Sequence, residues 1–570
     1  MPPPQKTKDR QRGRESFSAN DQPHGKQLVR KRLPIPSADS TKEYRAHCFN
    51  GNKQTCEKPQ ADTTMTRSIA LCLFSLLAPL AVLSAADQPI GSAGSPSATG
   101  QNPNVLMIIV DDMNDWVGCL GGHPDVKTPH IDRLADRGML FANGHVTAPV
   151  CNPSRVSTLT GKLPSTTGIY DNSVRWHEVL PQLVTIPQHF RANGYHVVGG
   201  GKVHHHTPGN NRPSDWDEYF DQVFDSHAQV HSWSGGRAGD FQWPPGFPLN
   251  RIPAVVSLSR PPQNAREFDW GPFDRDDLQM GDGRMVAWAE KVLAAPHDKP
   301  LFLAAGIYMP HLPWYAPRKY FDMYPPEMVT PPPIKENDLD DIPEGGQQIA
   351  AQRRGDLELI RREGQYEKVL QAYLACISFA DSLVGRLLDA LDASPLADNT
   401  IVVLWSDHGW HFGEKDHLHK FTLWERSTRI PLIVAAPGVT EPGSRTGQPA
   451  STLDLFPTLN ELCGLSPSGD LDGISLVPLL RDSQHVRERP ALTTHSPGNH
   501  TVRSEHWRYI RYADGGEELY NHQRDPHEWT NLAAKSGYAS VKADLAKWLP
   551  KTDAANVSPR AKLKSKPKRE

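Results

Sequence analysis

The feature that most restricts the fold is the segment 104–110, in which six consecutive apolar residues follow Asn104 without alternation of polar and apolar positions. A strand that is apolar on both faces is typical of a parallel sheet covered by helices on either side. Similar runs occupy 301–305, 400–405 and 431–435, and segments with helical spacing separate them. The alternation predicts an α/β fold with a mostly parallel sheet flanked by helices.

Helices are predicted where apolar residues recur every three to four positions, at 129–137, 186–193, 276–293 and 366–391. A further strand is predicted at 195–198, and residues 208–275, rich in Pro, Trp, Gly and Asp, are interpreted as loop. From about residue 466 the pattern changes to short alternating strands at 507–512 and 518–520. These indicate a smaller carboxyl-terminal subdomain with an antiparallel sheet.

The amino-terminal part contains a pattern typical of a secretory signal peptide. A short basic region at Met65–Arg67 precedes the apolar segment 69–83 and the small residues Ser84–Ala86. We therefore expect residues 65–86 to direct export to the periplasm or the medium. Because the apolar segment is short for a membrane span, we expect peripheral or no membrane contact after cleavage. Residues 1–64 are interpreted as a disordered extension or a mis-assigned start that precedes the true start at Met65.

The remaining boundaries follow from composition. We predict a linker at 87–103, the main domain at 104–465, the smaller subdomain at 466–550 and a disordered basic tail at 551–570. Residues 65–550 hold 42 Lys and Arg against 56 Asp and Glu, a net charge of −14. This acidic region argues against nucleic-acid binding, which needs a basic surface. An anionic substrate would have to be bound by local cationic groups.

The seven cysteines predict neither a disulfide scaffold nor a zinc site, because they are scattered and no Cys-x-x-Cys pair occurs. Cys376 and Cys463 lie in apolar helical patterns and are predicted to be core residues. Cys151 lies in a polar segment with Arg155, just before a helical run at 156–160. A helix start attracts anions, so Cys151 is either a nucleophilic thiolate or a buried structural cysteine.

Acidic and imidazole groups follow two of the predicted strands. Asp111 and Asp112 come directly after the first strand, and Asp407 and His408 follow the strand at 400–405. Ligand crevices of open α/β sheets lie beyond the carboxyl ends of the strands, so these side chains predict a metal site. Oxygen ligands favour Ca²⁺ or Mg²⁺, whereas a histidine ligand by itself indicates a transition metal, and the residue types leave both open.

The segment Cys151-Asn-Pro-Ser-Arg155-Val-Ser-Thr-Leu-Thr-Gly161 resembles the complete signature of the type I sulfatases, C-x-P-S-R-x-x-x-L-T-G. In that family a formylglycine-generating enzyme oxidises the cysteine to formylglycine. The resemblance covers about residues 104–535 and is closest to the iduronate-2-sulfatase branch and its bacterial polysaccharide-sulfatase relatives. It implies an alkaline-phosphatase-like fold and an enzyme that removes sulfate from a sulfated carbohydrate.

The resemblance also implies roles for individual residues. Asp111, Asp112, Asp407 and His408 match the ligands of a Ca²⁺ ion, with formylglycine from Cys151 completing the set. Arg155 matches the residue that holds the hydrated aldehyde, Lys202 and Lys420 match the sulfate-binding lysines, and His311 matches the histidine near the leaving group. The histidine beside the hydrate follows the first lysine by two or three positions. His204 and His205 fit these two spacings; we favour His205 and consider His206 incidental.

These residue types suit sulfate-ester chemistry. Cations clamp the sulfate oxygens, the hydrated aldehyde offers an oxygen to attack sulfur, and His311 can protonate the leaving oxygen. His205 can then take the proton of the second hydroxyl, which expels sulfate. Two alternatives remain: a phosphate or phosphonate monoester hydrolase of the same superfamily, and a non-catalytic protein that binds sulfated glycans. Substrate specificity is assigned to 208–275 and the carboxyl-terminal subdomain.

Overall fold

The structure, a computed structural model, describes residues 102–206, 210–220, 248–252, 268–466 and 469–558. All of them lie in one unit, Gly91–Glu570. The predicted extension at 1–64 and signal peptide at 65–86 lie outside the described residues, as does the linker up to residue 101. The domain boundaries proposed from composition therefore stay predictions.

The predicted apolar runs all form strands. In chain order the strands of the described residues are β1 (Asn104–Val110), β2 (Met139–Phe141), β3 (Gly144–His145), β4 (His196–Gly201), β5 (Glu218–Phe220), β6 (Trp270–Phe273), β7 (Leu301–Ile307), β8 (Trp314–Pro317), β9 (Thr400–Ser406), β10 (His411–Phe412), β11 (Leu418–His419), β12 (Leu432–Ala435), β13 (Ser444–Thr446), β14 (Ala450–Ser451), β15 (Ala491–Ser496), β16 (Asn499–Arg503), β17 (Trp507–Arg511) and β18 (Glu517–Asn521).

Helices fill the connections between the strands. They are α1 (Pro129–Arg137), α2 (Cys151–Thr160), α3 (Pro164–Thr167), α4 (Trp176–Val179), α5 (Ile186–Ala192), α6 (Gly281–Ala294), α7 (Arg318–Phe321), α8 (Glu344–Ala351), α9 (Arg354–Arg362), α10 (Tyr366–Asp392), α11 (Glu425–Thr428), α12 (Leu455–Leu462), α13 (Val477–Arg481) and α14 (Ala539–Ala546). Along the described ranges, no helix is long and apolar enough to cross a membrane.

The main sheet has eight strands in the order β13-β2-β12-β9-β1-β7-β4-β5. Every neighbouring pair is parallel except the two that involve β12, which is antiparallel to β9 and β2. Strand β1 lies between β7 and β9, and Val110 is in register with Ile307 and with Ser406. The predicted α/β class is confirmed, and the carboxyl ends of the central strands meet at one edge.

Both faces of β1 are covered, which explains its unbroken apolar sequence. Leu106 and Ile108 pack into the core that contains α6 and α10, whereas Met107 and Ile109 pack into the core that contains α5 and α12. The small antiparallel sheet predicted near the carboxyl terminus is also confirmed, as a four-stranded meander of β15, β16, β17 and β18.

Three segments differ from the sequence-based expectations. The region interpreted as loop contains β5 and β6. The helix predicted at 276–293 is broken at Met280, whose extended backbone separates a 3-10 turn from α6. Strand β4 continues through the glycines after residue 198, where the absence of a side chain at Gly199 leaves room for the Trp216 ring.

The predicted disordered tail also differs from the structure, because residues 551–558 are held against α3. The amide of Ala554 donates to the Ser165 carbonyl at 2.7 Å, and the hydroxyl of Tyr170 donates to the Ala554 carbonyl at 2.9 Å. Most of the basic residues that suggested disorder lie further on, at 559–570, outside the described residues.

A buried carboxylate on α10 holds the first turn of α1. Asp381 accepts hydrogen bonds from the amides of Ile131 at 2.7 Å and His130 at 3.1 Å. We expect Asp381→Ala to cost about 1–3 kcal/mol of unfolding free energy, since two helix-start amides lose their acceptor. Asp389→Ala on the same helix removes only an exposed pair with Arg133 and should cost less than about 1 kcal/mol. Thermal unfolding of both variants checks this prediction, and equal decreases in unfolding temperature would contradict it.

Candidate active site

Three side chains are aligned at the carboxyl edge because the sheet ladder continues one residue beyond the strands. The Asp111 amide donates to the Ile307 carbonyl and the Asp407 amide to the Val110 carbonyl, both at 3.2 Å. The Lys202 amide donates to the Gly306 carbonyl at 2.9 Å. A side chain at Gly306 would collide with the Lys202 backbone, so a glycine is required for this close approach.

Helix α2 brings Cys151 and Arg155 to this edge. The helix begins at Cys151 itself, not after Arg155 as the sequence suggested, so the two residues are one turn apart on the same side. The Arg155 guanidinium donates to Asp407 Oδ2 at 2.8 Å and to Asp111 Oδ1 at 3.0 Å. It also donates to the carbonyls of Lys202 and Val203, and Arg155 is fully buried.

The two lysines contact different carboxylates of this cluster. Lys202 pairs with Asp111, and its ammonium lies 4.8 Å from the centre of the Tyr308 ring. Lys420 donates to Asp112 Oδ1 at 2.7 Å and to Cys151 Sγ at 3.1 Å. Burial alone would lower the pKa of Lys420, but Asp112 together with Cys151, Asp111 and Asp407 outweighs it and the pKa is raised, so Lys420 is charged.

Four of the predicted metal ligands form one buried group. Ligand atoms of Asp111, Asp112, Cys151 and His408 lie within 4.8 Å of one another. His408 Nε2 lies 3.2 Å from both Asp112 Oδ1 and Cys151 Sγ. Asp407 borders the group, with Oδ1 at 3.6 Å from His408 Nε2, and accepts the Asp112 amide at 3.0 Å.

The electrostatics of the group fit a cation beside Asp112. Asp112 Oδ2 is buried and has no hydrogen-bond partner among the residues that the structure describes. Burial raises the pKa of Asp112 to about 7, despite Lys420. Burial acts on Asp111 and Asp407 in the same direction, but Arg155 and Lys202 help to hold their pKa values below the ordinary range. Asp112 is therefore the carboxylate with the least compensation by positive charge.

The histidines occupy different surroundings. The His204 ring stacks on Trp176 with centroids 5.7 Å apart, and burial lowers its pKa to about 3. Neither of its ring nitrogens has a hydrogen-bond partner in the described ranges. His205 stacks on His206 at 4.3 Å. Burial and Lys202 lower the pKa of His205 well below its usual value. His311 Nδ1 contacts the Leu312 carbonyl, and Nε2 lies 3.8 Å from Asp112 Oδ2.

One residue of the site was not predicted from the sequence. The Tyr373 hydroxyl donates to the Asp112 carbonyl at 2.8 Å and accepts the Asn114 amide at 3.0 Å. It thereby holds the turn in which Asp112 has a positive φ of 59°. A tyrosine at a core position of the amphipathic helix α10 carries no signal that distinguishes it from a packing residue.

The comparison with known families agrees with this arrangement. The model of the sulfatase family matches residues 103–465. The chain belongs to the sulfatase family. A second family model, described as the carboxyl-terminal part of N-sulphoglucosamine sulphohydrolase, matches residues 413–555. The resemblance drawn from the Cys151–Gly161 signature is thus confirmed, and the protein is a sulfatase.

Individual relatives extend the likeness over most of the chain. A sulfatase from Formosa agariphila is 39% identical over 468 residues, which cover 79% of this chain and 87% of the relative. Human iduronate 2-sulfatase is 32% identical over 428 residues, 67% of this chain and 73% of that enzyme. A solved structure in complex with its substrate D-glucosamine-2-N,6-O-disulfate has a TM-score of 0.58 at 20% identity, covering 78% of this chain and 96% of that one. The alkaline-phosphatase-like fold is confirmed.

We expect a divalent cation to stabilise the folded protein through Asp112. Chelation of the ion should lower the unfolding temperature. Adding the ion back at about 100 times its dissociation constant should restore about 2.7 kcal/mol of unfolding free energy. Asp112→Ala should lose this response, since it removes the carboxylate with the least positive charge around it. Asp389→Ala should respond as the unaltered protein does, because Asp389 is exposed near the carboxyl end of α10. Calorimetry with and without chelator checks this; an undiminished response of Asp112→Ala would contradict it.

Proposed function

We propose that this sulfatase removes sulfate from a sulfated carbohydrate, with formylglycine at position 151 and a bound Ca²⁺ ion. The observation that carries the proposal is the convergence of Cys151, Arg155, Lys202 and Lys420 in one buried cluster at the carboxyl edge of the sheet. A structural cysteine needs no such set of cations around it, and a protein that only binds glycans needs no cysteine among them.

Charge balance supports anion capture. The three carboxylates Asp111, Asp112 and Asp407 are matched by Arg155, Lys202 and Lys420, so the side chains alone are close to neutral. A divalent cation would leave the cluster with an excess of two positive charges. Such a preorganised field draws in a sulfate ester and stabilises the charge that develops as its bond breaks. It can do so although residues 65–550 carry a net charge of −14.

We assign the ion to Asp111, Asp112, Asp407 and His408, with residue 151 as a further ligand. Three carboxylates make the donor set predominantly oxygen, which suits the hard cation Ca²⁺. The family resemblance supports the same choice over a transition metal. Ca²⁺ should therefore restore the activity of chelated protein better than Zn²⁺.

The other residues have distinct tasks. When present, formylglycine supplies a hydrated aldehyde as nucleophile, and the cation supplies positive charge beside it. Arg155 orients residue 151, and Lys202 and Lys420 hold the sulfate oxygens. His311 donates a proton to the leaving oxygen, and His205 accepts one when sulfate is expelled. The negative sulfate group beside Lys202 and Lys420 would favour the protonated form of His311.

Relatives and the sequence support the carbohydrate substrate and export. The human relative is an iduronate 2-sulfatase, which favours a sulfated sugar or glycan. The signal-peptide pattern at 65–86 supports export to the periplasm or the medium. The Cys-x-Pro-Ser-Arg sequence at 151–155 supports a formylglycine-generating enzyme as the partner in maturation.

Replacing Cys151 by Ser tests the proposal most directly. Serine offers one hydroxyl, which can attack sulfur while His311 protonates the leaving oxygen. It has no second hydroxyl from which His205 could take a proton, so expulsion of sulfate is blocked. We expect the variant to stop after about one turnover, with one sulfate added at residue 151 in the intact-protein mass spectrum.

The unaltered protein provides the control. Its peptide containing residue 151, from protein made in its own host, should have the mass of formylglycine instead of cysteine. It should turn over an aryl sulfate repeatedly and prefer it to the corresponding aryl phosphate. Sustained turnover by Cys151→Ser, or a preference for the phosphate, would contradict the proposal.

His205 and His204 form a matched pair for the proton-transfer role. His205→Ala should lower turnover by about 100- to 10,000-fold, the range typical for loss of a general base. His204→Ala should have a much smaller effect, because His204 stacks on Trp176. Turnover of an aryl sulfate, corrected for formylglycine content, measures both. The reverse ranking would assign the role to His204.

A further inference from the structure

The segment that carries Lys420 has an unusual backbone. Between Gly413 and Phe421 the φ angle is positive at Gly413, Lys415, Asp416, His419 and Phe421, and only the first of these is a glycine. Such conformations are unfavourable for residues with a side chain and persist only where surrounding contacts impose them. The segment includes the two-residue strands β10 and β11, which form a small hairpin. We call residues 411–421 the Lys420 hairpin.

Contacts from outside the hairpin hold it in this form. Lys415 donates to Asp338 Oδ1 at 2.9 Å and also contacts the Glu528 carbonyl. Asp416 pairs with Arg354 at 2.6 Å, and His419 Nε2 lies 3.2 Å from Asp356 Oδ2. These partners come from the loop before α8, from α9 and from the segment after β18.

One further contact reaches Lys420 itself. His417 is fully buried, with Nε2 at 2.8 Å from the Lys420 carbonyl and Nδ1 at 2.9 Å from the Ala350 carbonyl at the end of α8. Burial lowers the pKa of His417 to about 4, so near neutral pH the ring carries one proton and donates to one of the two carbonyls at a time. The ring links the backbone of Lys420 to α8.

We propose that His417 is a positioning residue for Lys420, with Nε2–H donating to the Lys420 carbonyl. The peptide between Lys420 and Phe421, which has a φ of 80°, is held at both ends: the Phe421 amide donates to the Pro149 carbonyl at 3.1 Å, and His417 holds the Lys420 carbonyl. Without the bond from His417, the carbonyl end of this peptide is free to relax. Relaxation would move the Lys420 ammonium away from its positions at 2.7 Å from Asp112 Oδ1 and 3.1 Å from Cys151 Sγ. The inference rests on the proposed sulfate-binding role of Lys420.

Glutamine and asparagine form a matched pair that tests which ring nitrogen acts. The amide nitrogen of Gln overlays Nε2 of His and keeps the donor to Lys420, whereas that of Asn overlays Nδ1 and keeps only the donor to Ala350. We expect His417→Asn to lower kcat/KM for an aryl sulfate by about 10- to 100-fold, as loss of a supporting hydrogen bond does around other sites. His417→Gln should stay within about threefold of the unaltered protein. The reverse order would overturn the assignment.

A double-mutant cycle separates positioning from general loss of structure. If His417 acts through Lys420, His417→Asn should have little further effect on kcat/KM in a Lys420→Ala background. If His417 only stabilises the folded structure, His417→Asn should lower kcat/KM by the same factor in both backgrounds, and that result would overturn the proposal. Thermal unfolding of all four proteins checks that each is folded.

Binding of inorganic sulfate, measured by calorimetry with divalent cation present, keeps the test independent of catalysis. The unaltered protein and His417→Gln should bind sulfate with similar affinity, and His417→Asn about tenfold or more weakly. Sulfate binding that follows this order, in protein without sulfatase activity, would leave the positioning role intact while contradicting the proposed function. Equal sulfate affinity of His417→Asn and His417→Gln would overturn the positioning role, whatever the activity.

Discussion

The arrangement depends on one buried guanidinium. Arg155 joins the carboxylates that end β1 and β9 and also donates to carbonyls just after β4, so a single side chain ties helix α2 to three strands. The bonds to Asp111 and Asp407 hold these two like-charged, fully buried groups side by side. Breaking a buried ion pair of this kind typically costs about 3–5 kcal/mol, because the remaining charges lose their compensation. Arg155 thus has a structural role in addition to the one proposed for it in catalysis.

This double use explains why so many charges can be buried together. Each cation in the cluster has a carboxylate partner, and Lys202 and Lys420 approach from different parts of the chain. Asp112 differs in that, within the described part of the chain, its Oδ2 has no hydrogen-bond partner. Asp112 is therefore the carboxylate of the cluster that is least compensated by positive charge, and it lies close to Cys151.

Much of the site could be predicted from the sequence because the end of an apolar run marks the end of a buried strand. Asp111 and Asp407 follow unbroken apolar runs, and a parallel sheet brings such ends together whatever the length of chain between them. Helix α2 was harder to delimit: all ten of its residues are buried, so no amphipathic pattern marks its start at Cys151. Tyr373 and His417 contact backbone groups that are distant in the chain or lie within an irregular segment. Contacts of that kind depend on tertiary packing and leave no periodicity or motif in the sequence.

The topology also has a consequence for synthesis of the chain. Strand β1 is made early, but its neighbours β7 and β9 follow about 200 and about 300 residues later. At the ~5–20 residues per second of translation, completing the pairing of β1 takes about 15–60 s after β1 is made. Until β7 is made, β1 has neither of its partners in the sheet, and until β9 is made it has only one. The central position that lets β1 anchor the site therefore leaves an apolar strand open to aggregation until these later strands are made.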